Sequence, residues 1–110
     1  MRNVMSPYSK DVYKRNAELY KVMANPKRLE ILNTVKDQEV TVNELSHVLG
    51  TRKSNTSQHL AYLRLVGLVI TRREGKNIYY KIADPMIVEP CKIFKEIEER
   101  REIRRPAKPA

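Results

Sequence analysis

A single cysteine, Cys91, is the only thiol in this 110-residue chain. No disulfide can form within one chain, and a reducing compartment suits it. Glycine is scarce too, with three residues, and the aromatic set has one Phe and no Trp beside six Tyr. That composition speaks against a β-rich domain. No apolar run approaches a membrane span in length, and the N-terminus lacks the apolar stretch of a signal peptide. The expected location is therefore the cytoplasm, with no membrane partner.

The chain is long enough for one domain with a modest core, and too short for two. Its 41% hydrophobic and 32% charged residues are ordinary for a folded soluble protein. The formal net charge is +9, and its distribution is uneven. Residues 51–82 carry Arg52, Lys53, Arg64, Arg72, Arg73, Lys76 and Lys81 against Glu74 alone, a net of +6. A concentrated basic patch attracts nucleic acid or an anionic membrane surface, or it is simply a solvated face that keeps the protein soluble. The motifs decide between these readings.

Residues 1–8 are expected to form a flexible arm. From Ser9 the apolar residues Val12, Tyr13, Leu19, Tyr20, Val22 and Met23 recur at roughly helical spacing. Asn25-Pro26 ends that helix and starts a second, with an N-cap and a first-position proline. Leu29, Leu32 and Val35 face inward there, with Ile31 partly so. Thr41-Val42-Asn43-Glu44 reads as a capping box for a short third helix, which Gly50 ends in a left-handed cap. A fourth helix runs from about Ser54 to Val66, with Thr56, Leu60, Leu63 and Val66 inward, and stops at Gly67. The period then switches to alternation. Leu68 to Arg73 is a strand, Glu74-Gly75-Lys76-Asn77 a turn, and Ile78 to Ile82 the return strand. Asp84-Pro85 signals a last helix carrying Ile87, Val88, Cys91, Ile93, Phe94 and Ile97, which kinks at Pro90 or begins later. Residues 98–105 are nearly all Glu and Arg, and residues 106–110 are expected to be a disordered tail. Residues 9–105 thus form one unit, mainly α with a β-hairpin, in the order α-α-α-α-β-β-α.

Two helices joined by a short turn containing Gly, here Glu44 to Val66, have the spacing of a helix-turn-helix, and the hairpin adds a wing. In such a pair the second helix enters the major groove of double-stranded DNA by its N-terminal end. That end offers Lys53, Ser54, Asn55, Ser57, Gln58 and His59, all able to hydrogen-bond base edges. Its first two turns hold no acid, which suits proximity to phosphates. A merely solvated helix would more often carry Glu and Lys there. Arg72, Arg73 and Lys76 surround the wing tip and are placed to hold the DNA backbone, with Ile78 and Tyr80 or Tyr79 anchoring the wing. Arg52 and Arg64 join the DNA-binding set. Taken alone, the hairpin could equally serve only to complete the core. Its coincidence with the helix pair and the local charge points to a DNA-binding regulator.

Met23 to Leu32 resembles the opening signature of the ArsR/SmtB family of bacterial and archaeal repressors. Asn43-Glu44-Leu45, Ser54 to Leu60, Leu63-Arg64 and Gly67-Leu68-Val69 are similar to its helix-turn-helix. Arg72 to Lys76 and Tyr79-Tyr80 are similar to its wing. The resemblance spans roughly residues 17–84. It implies a homodimer held by the first and last helices, with Tyr13, Leu19, Tyr20, Ile87, Cys91 and Phe94 at the interface, and operator release on binding an effector. It also implies Lys53, Ser54, Ser57 and Gln58 as base readers, with His59 as a further candidate. Two residues depart from the pattern: Arg52 stands where a helix-capping Ser is usual, and Thr56 where a buried Val is common.

The resemblance also invites a metal sensor, with paired Cys on the third helix or Asp, His and Glu on the last. This chain has Thr41 and Asn43 at the first set. It has Asp84, Glu89, Glu96 and Glu99 without His at the second. One Cys and two separated His, His47 and His59, do not make a soft-metal site, so neither metal nor cofactor is expected and the effector is left unnamed. Cys91 is expected as a small buried hydrophobe, with a redox-active thiol at the dimer interface as its sharper alternative. No nucleophile–base pair or phosphate-cradling glycine loop argues for an enzyme. The other class of function open to this sequence is a winged helix used for protein contacts.

Overall fold

The computed structural model describes residues 1–100, so the expectations for 101–110 lie outside the described residues. Residues 1–9 contain no helix or strand. Five α-helices, a two-stranded hairpin and one 3-10 turn follow. α1 spans Lys10–Met23, α2 Pro26–Thr34, α3 Val42–Leu49 and α4 Lys53–Leu65. β1 is Val69–Glu74 and β2 Asn77–Ile82. A 3-10 turn, Pro85–Val88, leads into α5, Glu89–Glu99.

Local chemistry sets most of these boundaries. The Ser9 hydroxyl accepts from the Val12 amide at 3.3 Å and starts α1. The Asn25 side chain accepts from the Arg28 amide at 3.1 Å, with Pro26 behind it, and starts α2. The Arg28 Nε donates back to the Val22 carbonyl at 2.6 Å, satisfying an orphan acceptor at the end of α1. The Thr41–Glu44 capping box is complete. The Glu44 amide donates to the Thr41 hydroxyl at 3.3 Å, and the Thr41 amide to the Glu44 carboxylate at 3.0 Å. The Thr41 amide first, and then the Thr41 hydroxyl, which donates to the same carboxylate at 3.0 Å, pull the Glu44 carboxyl below its ordinary pKa.

Both helices of the central pair end in the same way. At the end of α3 the Gly50 amide donates to the His47 carbonyl and the Thr51 amide to the Ser46 carbonyl. At the end of α4, Gly67 donates to Arg64 and Leu68 to Leu63. Both glycines have positive φ, +65° and +81°. This is the Schellman arrangement, which needs a left-handed residue that glycine adopts without strain. It corrects one expectation. Val66 is 36% exposed rather than inward, because the reversal at Gly67 swings Leu68 into that place at 6% exposure. Ile31, expected only partly inward, is fully buried.

The core is a cluster of Val22, Ile31, Leu32, Val35, Val40, Leu45, Leu60, Leu63, Leu68, Val69, Ile82 and Val88. The hairpin is antiparallel, with Val69 opposite Ile82, Arg72 opposite Tyr79 and Glu74 opposite Asn77. Its turn is therefore Gly75-Lys76, two residues shorter than the four-residue turn expected. A bridge outside the hairpin fixes it to the body: Val40 and Tyr80 exchange backbone hydrogen bonds of 3.0 and 2.8 Å. Tyr80 is thus the anchoring tyrosine, packed against the core. Ile78, nearer the turn, is 38% exposed and does not anchor. Pro90 falls in the first turn of α5, where its missing amide costs nothing.

Candidate nucleic-acid interface

α4 divides into two faces. Thr56, Leu60 and Leu63 are fully buried. Lys53, Ser54, Asn55, Ser57 and Gln58 are all exposed, and His59 is half-buried. α4 starts at Lys53, one residue earlier than expected. Arg52 occupies the N-cap without a side-chain cap, so the first-turn amides have no local acceptor and the positive end of the helix stays open. Arg64 lies farther along, beside a shallow recess that it shares with Ser57, Ala61, Leu65 and Tyr80.

The departure at Thr56 has a structural role. Its buried hydroxyl receives the Ser46 hydroxyl at 3.0 Å, lies 3.0 Å from the Thr51 hydroxyl, and donates to the Arg52 carbonyl at 3.3 Å. One side chain thereby ties α3, the turn and α4 together. Thr56→Val is expected to lower the unfolding free energy by about 1–2 kcal/mol, because Ser46 loses its acceptor in a dry setting. Adding Ser46→Ala should recover part of that loss. Urea unfolding of the parent and the two variants checks this, and a fully stable Thr56→Val would show the cluster to be neutral.

His59 titrates below the ordinary histidine value, first through burial and then through the charges of Arg28 and Lys27. Both effects favour its uncharged form. Arg28 also lies over the Tyr62 ring, 5.1 Å from its centroid.

The wing does not present its three tip cations alike. Arg73 and Lys76 are exposed and carry no ion pair among the described residues. Arg72 is engaged on every nitrogen. Its Nε donates to both Glu39 carboxylate oxygens at 3.2 and 2.9 Å, a terminal nitrogen to Glu39 Oε2 at 2.6 Å, and the other to Glu74 at 2.8 Å. Its carbon lies 4.8 Å from the Tyr79 ring centroid. Glu39 first and Glu74 second hold the guanidinium proton more tightly than usual, and Arg72 lowers the Glu39 carboxyl in return. Sequence reading missed Glu39. It lies 33 positions from Arg72 and belongs to no motif, so only the fold brings the pair together.

A second surface lies on α1 and α5. Tyr13, Leu19, Tyr20 and Phe94 are 43%, 42%, 61% and 60% exposed, while Ile87 packs against the core. Ile93, named from the sequence as apolar on the last helix but left out of the interface set, is 45% exposed on the same helix as Phe94. Cys91, expected as buried, is half-buried in the single chain and takes a 3.6 Å contact from the Asn33 amide. It lies between Leu29 and Phe94 in an apolar groove that Tyr20, Met23 and Pro90 complete. Among the described residues no cluster of three or more His, Cys, Asp or Glu comes together. No described helix is long and apolar enough to cross a membrane.

A helix pair with an exposed polar second helix, flanked by a pinned hairpin, defines a winged helix-turn-helix. Comparison with known proteins agrees. A family model described as bacterial regulatory protein, arsR family, matches residues 25–71. The HTH-type transcriptional regulator Rv0081 of Mycobacterium tuberculosis is 38% identical over 90 residues, 81% of this chain and 79% of its own. Its crystal structure superposes with a TM-score of 0.72 at 36% identity, covering 86% of this chain and 95% of that one. The transcriptional repressor PagR of Bacillus anthracis is 38% identical over 85 residues, 76% of this chain and 84% of its own. The transcriptional activator HlyU of Vibrio cholerae is 48% identical over 65 residues, 59% of this chain and 60% of its own. The chain belongs to the arsR family of bacterial regulatory proteins, and it is a DNA-binding transcriptional regulator.

Proposed function

We propose that the protein is a homodimeric repressor that reads an inverted-repeat operator with α4 and grips the flanking backbone with its wing. The observation that carries this reading is the acid-free row of exposed hydrogen-bonding side chains from Lys53 to Gln58 at the open end of α4. Lys53, Ser54, Asn55, Ser57 and Gln58 reach base edges, with half-buried His59 at the margin. Arg52 and Arg64 add phosphate contacts at either end of the row, and Arg73 and Lys76 add them from the wing.

The second surface supports dimerisation. The Cα radius of gyration is 17.1 Å and the long dimension 65 Å, against about 13 Å for a compact 100-residue domain. α5 has no fully buried residue, and α1 buries only Val22. A second copy laid across Tyr13, Leu19, Tyr20, Cys91 and Phe94 would cover these faces and place two α4 helices about one DNA turn apart. The protein works in the cytoplasm, where its DNA is, and acts without catalysis.

Selection of bound sequences from a random DNA pool tests the reading directly. A palindromic consensus with half-site centres about 10 base pairs apart supports it, and recovery of unenriched DNA overturns it. On the selected site, Arg73→Gln and Lys76→Gln are each expected to reduce the slope of log affinity against log salt by about 0.9. Binding titrations at several salt concentrations measure this. Unchanged slopes would remove the wing from the contact.

A further inference from the structure

We propose that Arg72, although it lies in the basic wing, is a positioning residue that latches the wing to the segment before α3 and makes no phosphate contact itself. This rests on the DNA-reading assignment of α4 and wing, and it divides the wing cations into one structural member and two that face solvent.

Three observations carry it. First, all three nitrogens of Arg72 already bond Glu39 or Glu74, which fixes the direction of the fork and leaves only the second hydrogen of each terminal nitrogen. Second, the carboxylates of Glu39 and Glu74 flank the guanidinium and offset its charge, with Lys81 also close enough to act on Glu39, so Arg72 offers a phosphate less attraction than an unpaired cation would. Third, the partner residue is mechanically placed. Glu39 directly precedes Val40, whose backbone pairs with Tyr80, and Tyr80 stands opposite Thr71 next to Arg72. The side-chain fork and the backbone bridge thus hold adjacent points of the hairpin against the same stretch of chain. Tyr79 beneath the guanidinium completes a flat seat, which suits a planar fork and not an ammonium. With that attachment set, the directions of Arg73 and Lys76 at the tip are set as well.

The double substitution R72Q/E39Q removes one charge of each sign and so leaves the local charge unchanged. In the free full-length protein, amide exchange at Val40 and Tyr80, followed by NMR, is expected to run roughly threefold to fivefold faster than in the parent. Operator affinity is expected to fall by a similar factor, with the salt slope of the parent retained. R72K, which keeps the charge and loses the fork, is expected to behave like the double variant, whereas a phosphate contact would survive lysine. A slope reduced by about 0.9 in R72Q/E39Q would assign Arg72 to the DNA backbone and overturn the proposal. Unchanged exchange at Val40 and Tyr80 would overturn it equally. If the parent protein shows no operator preference, the DNA-reading assignment fails instead, and the exchange measurement still decides the latch.

Discussion

Replacing Ser54, Ser57 and Gln58 together by alanine is expected to lower operator affinity by about a hundredfold to ten-thousandfold. A well-formed bidentate contact from a side chain such as Gln58 discriminates by about 1–3 kcal/mol, and a serine contributes toward the low end. Neighbouring contacts do not add in full, so the lower half of the range is the safer figure for the set. Stability should hold, because all three side chains are exposed and alanine is the better helix former. Binding to random DNA should hold too, since no charge is removed. The measurement is a pair of titrations, operator against random duplex, with a thermal melt of each protein. An operator affinity within threefold of the parent would take α4 out of sequence reading and favour a winged helix built for protein contacts.

The second large effect concerns the α1–α5 surface. Tyr20→Glu with Phe94→Glu is expected to give a folded monomer whose operator affinity is reduced by about a hundredfold or more. Both rings are about 60% exposed in the single chain, so neither substitution opens the core. In a two-fold dimer each substitution enters the interface twice, once from each protomer. Burying a carboxylate without a partner in place of an aromatic ring costs several kcal/mol per site by order of magnitude. The operator penalty follows from the loss of linkage: a monomer binds one half-site and gains nothing from the second. Sedimentation at micromolar concentration should show a single-chain mass, with helical content unchanged. A variant that still sediments as a dimer would place the interface elsewhere.

Signals confined to one turn of chain were legible in the sequence, and those that needed the fold were not. The caps at Asn25 and Thr41–Glu44 and the left-handed Gly50 were readable because each involves residues within four positions. The hairpin was readable from its alternation around Gly75. The exposed row on α4 followed from the inward spacing of Thr56, Leu60 and Leu63, which leaves the intervening positions outside. Val66 was misplaced because periodicity continued past the point where backbone geometry at Gly67 reverses the chain and gives Leu68 the inward place. The hydroxyl partners of Thr56 and the carboxylate partners of Arg72 were illegible for a different reason. Both depend on segments brought together by packing, and composition counts Arg72 as a free cation when the fold spends its donors on Glu39 and Glu74. Cys91 is half-buried in the single chain, a degree of cover that depends on what lies on the neighbouring surface and so was not legible from its residue type.

The separation of α4 into a buried face and an exposed one also bears on how this protein can diverge. Thr56, Leu60 and Leu63 hold the helix in place through contacts that never reach the exposed row. On the proposed reading of α4, a lineage carrying this chain could exchange Ser54, Asn55, Ser57 or Gln58 and move to a new target sequence while foldability is untouched. Duplicated copies can part ways over which promoters they occupy within a few surface changes, and the interior would keep no record of the split.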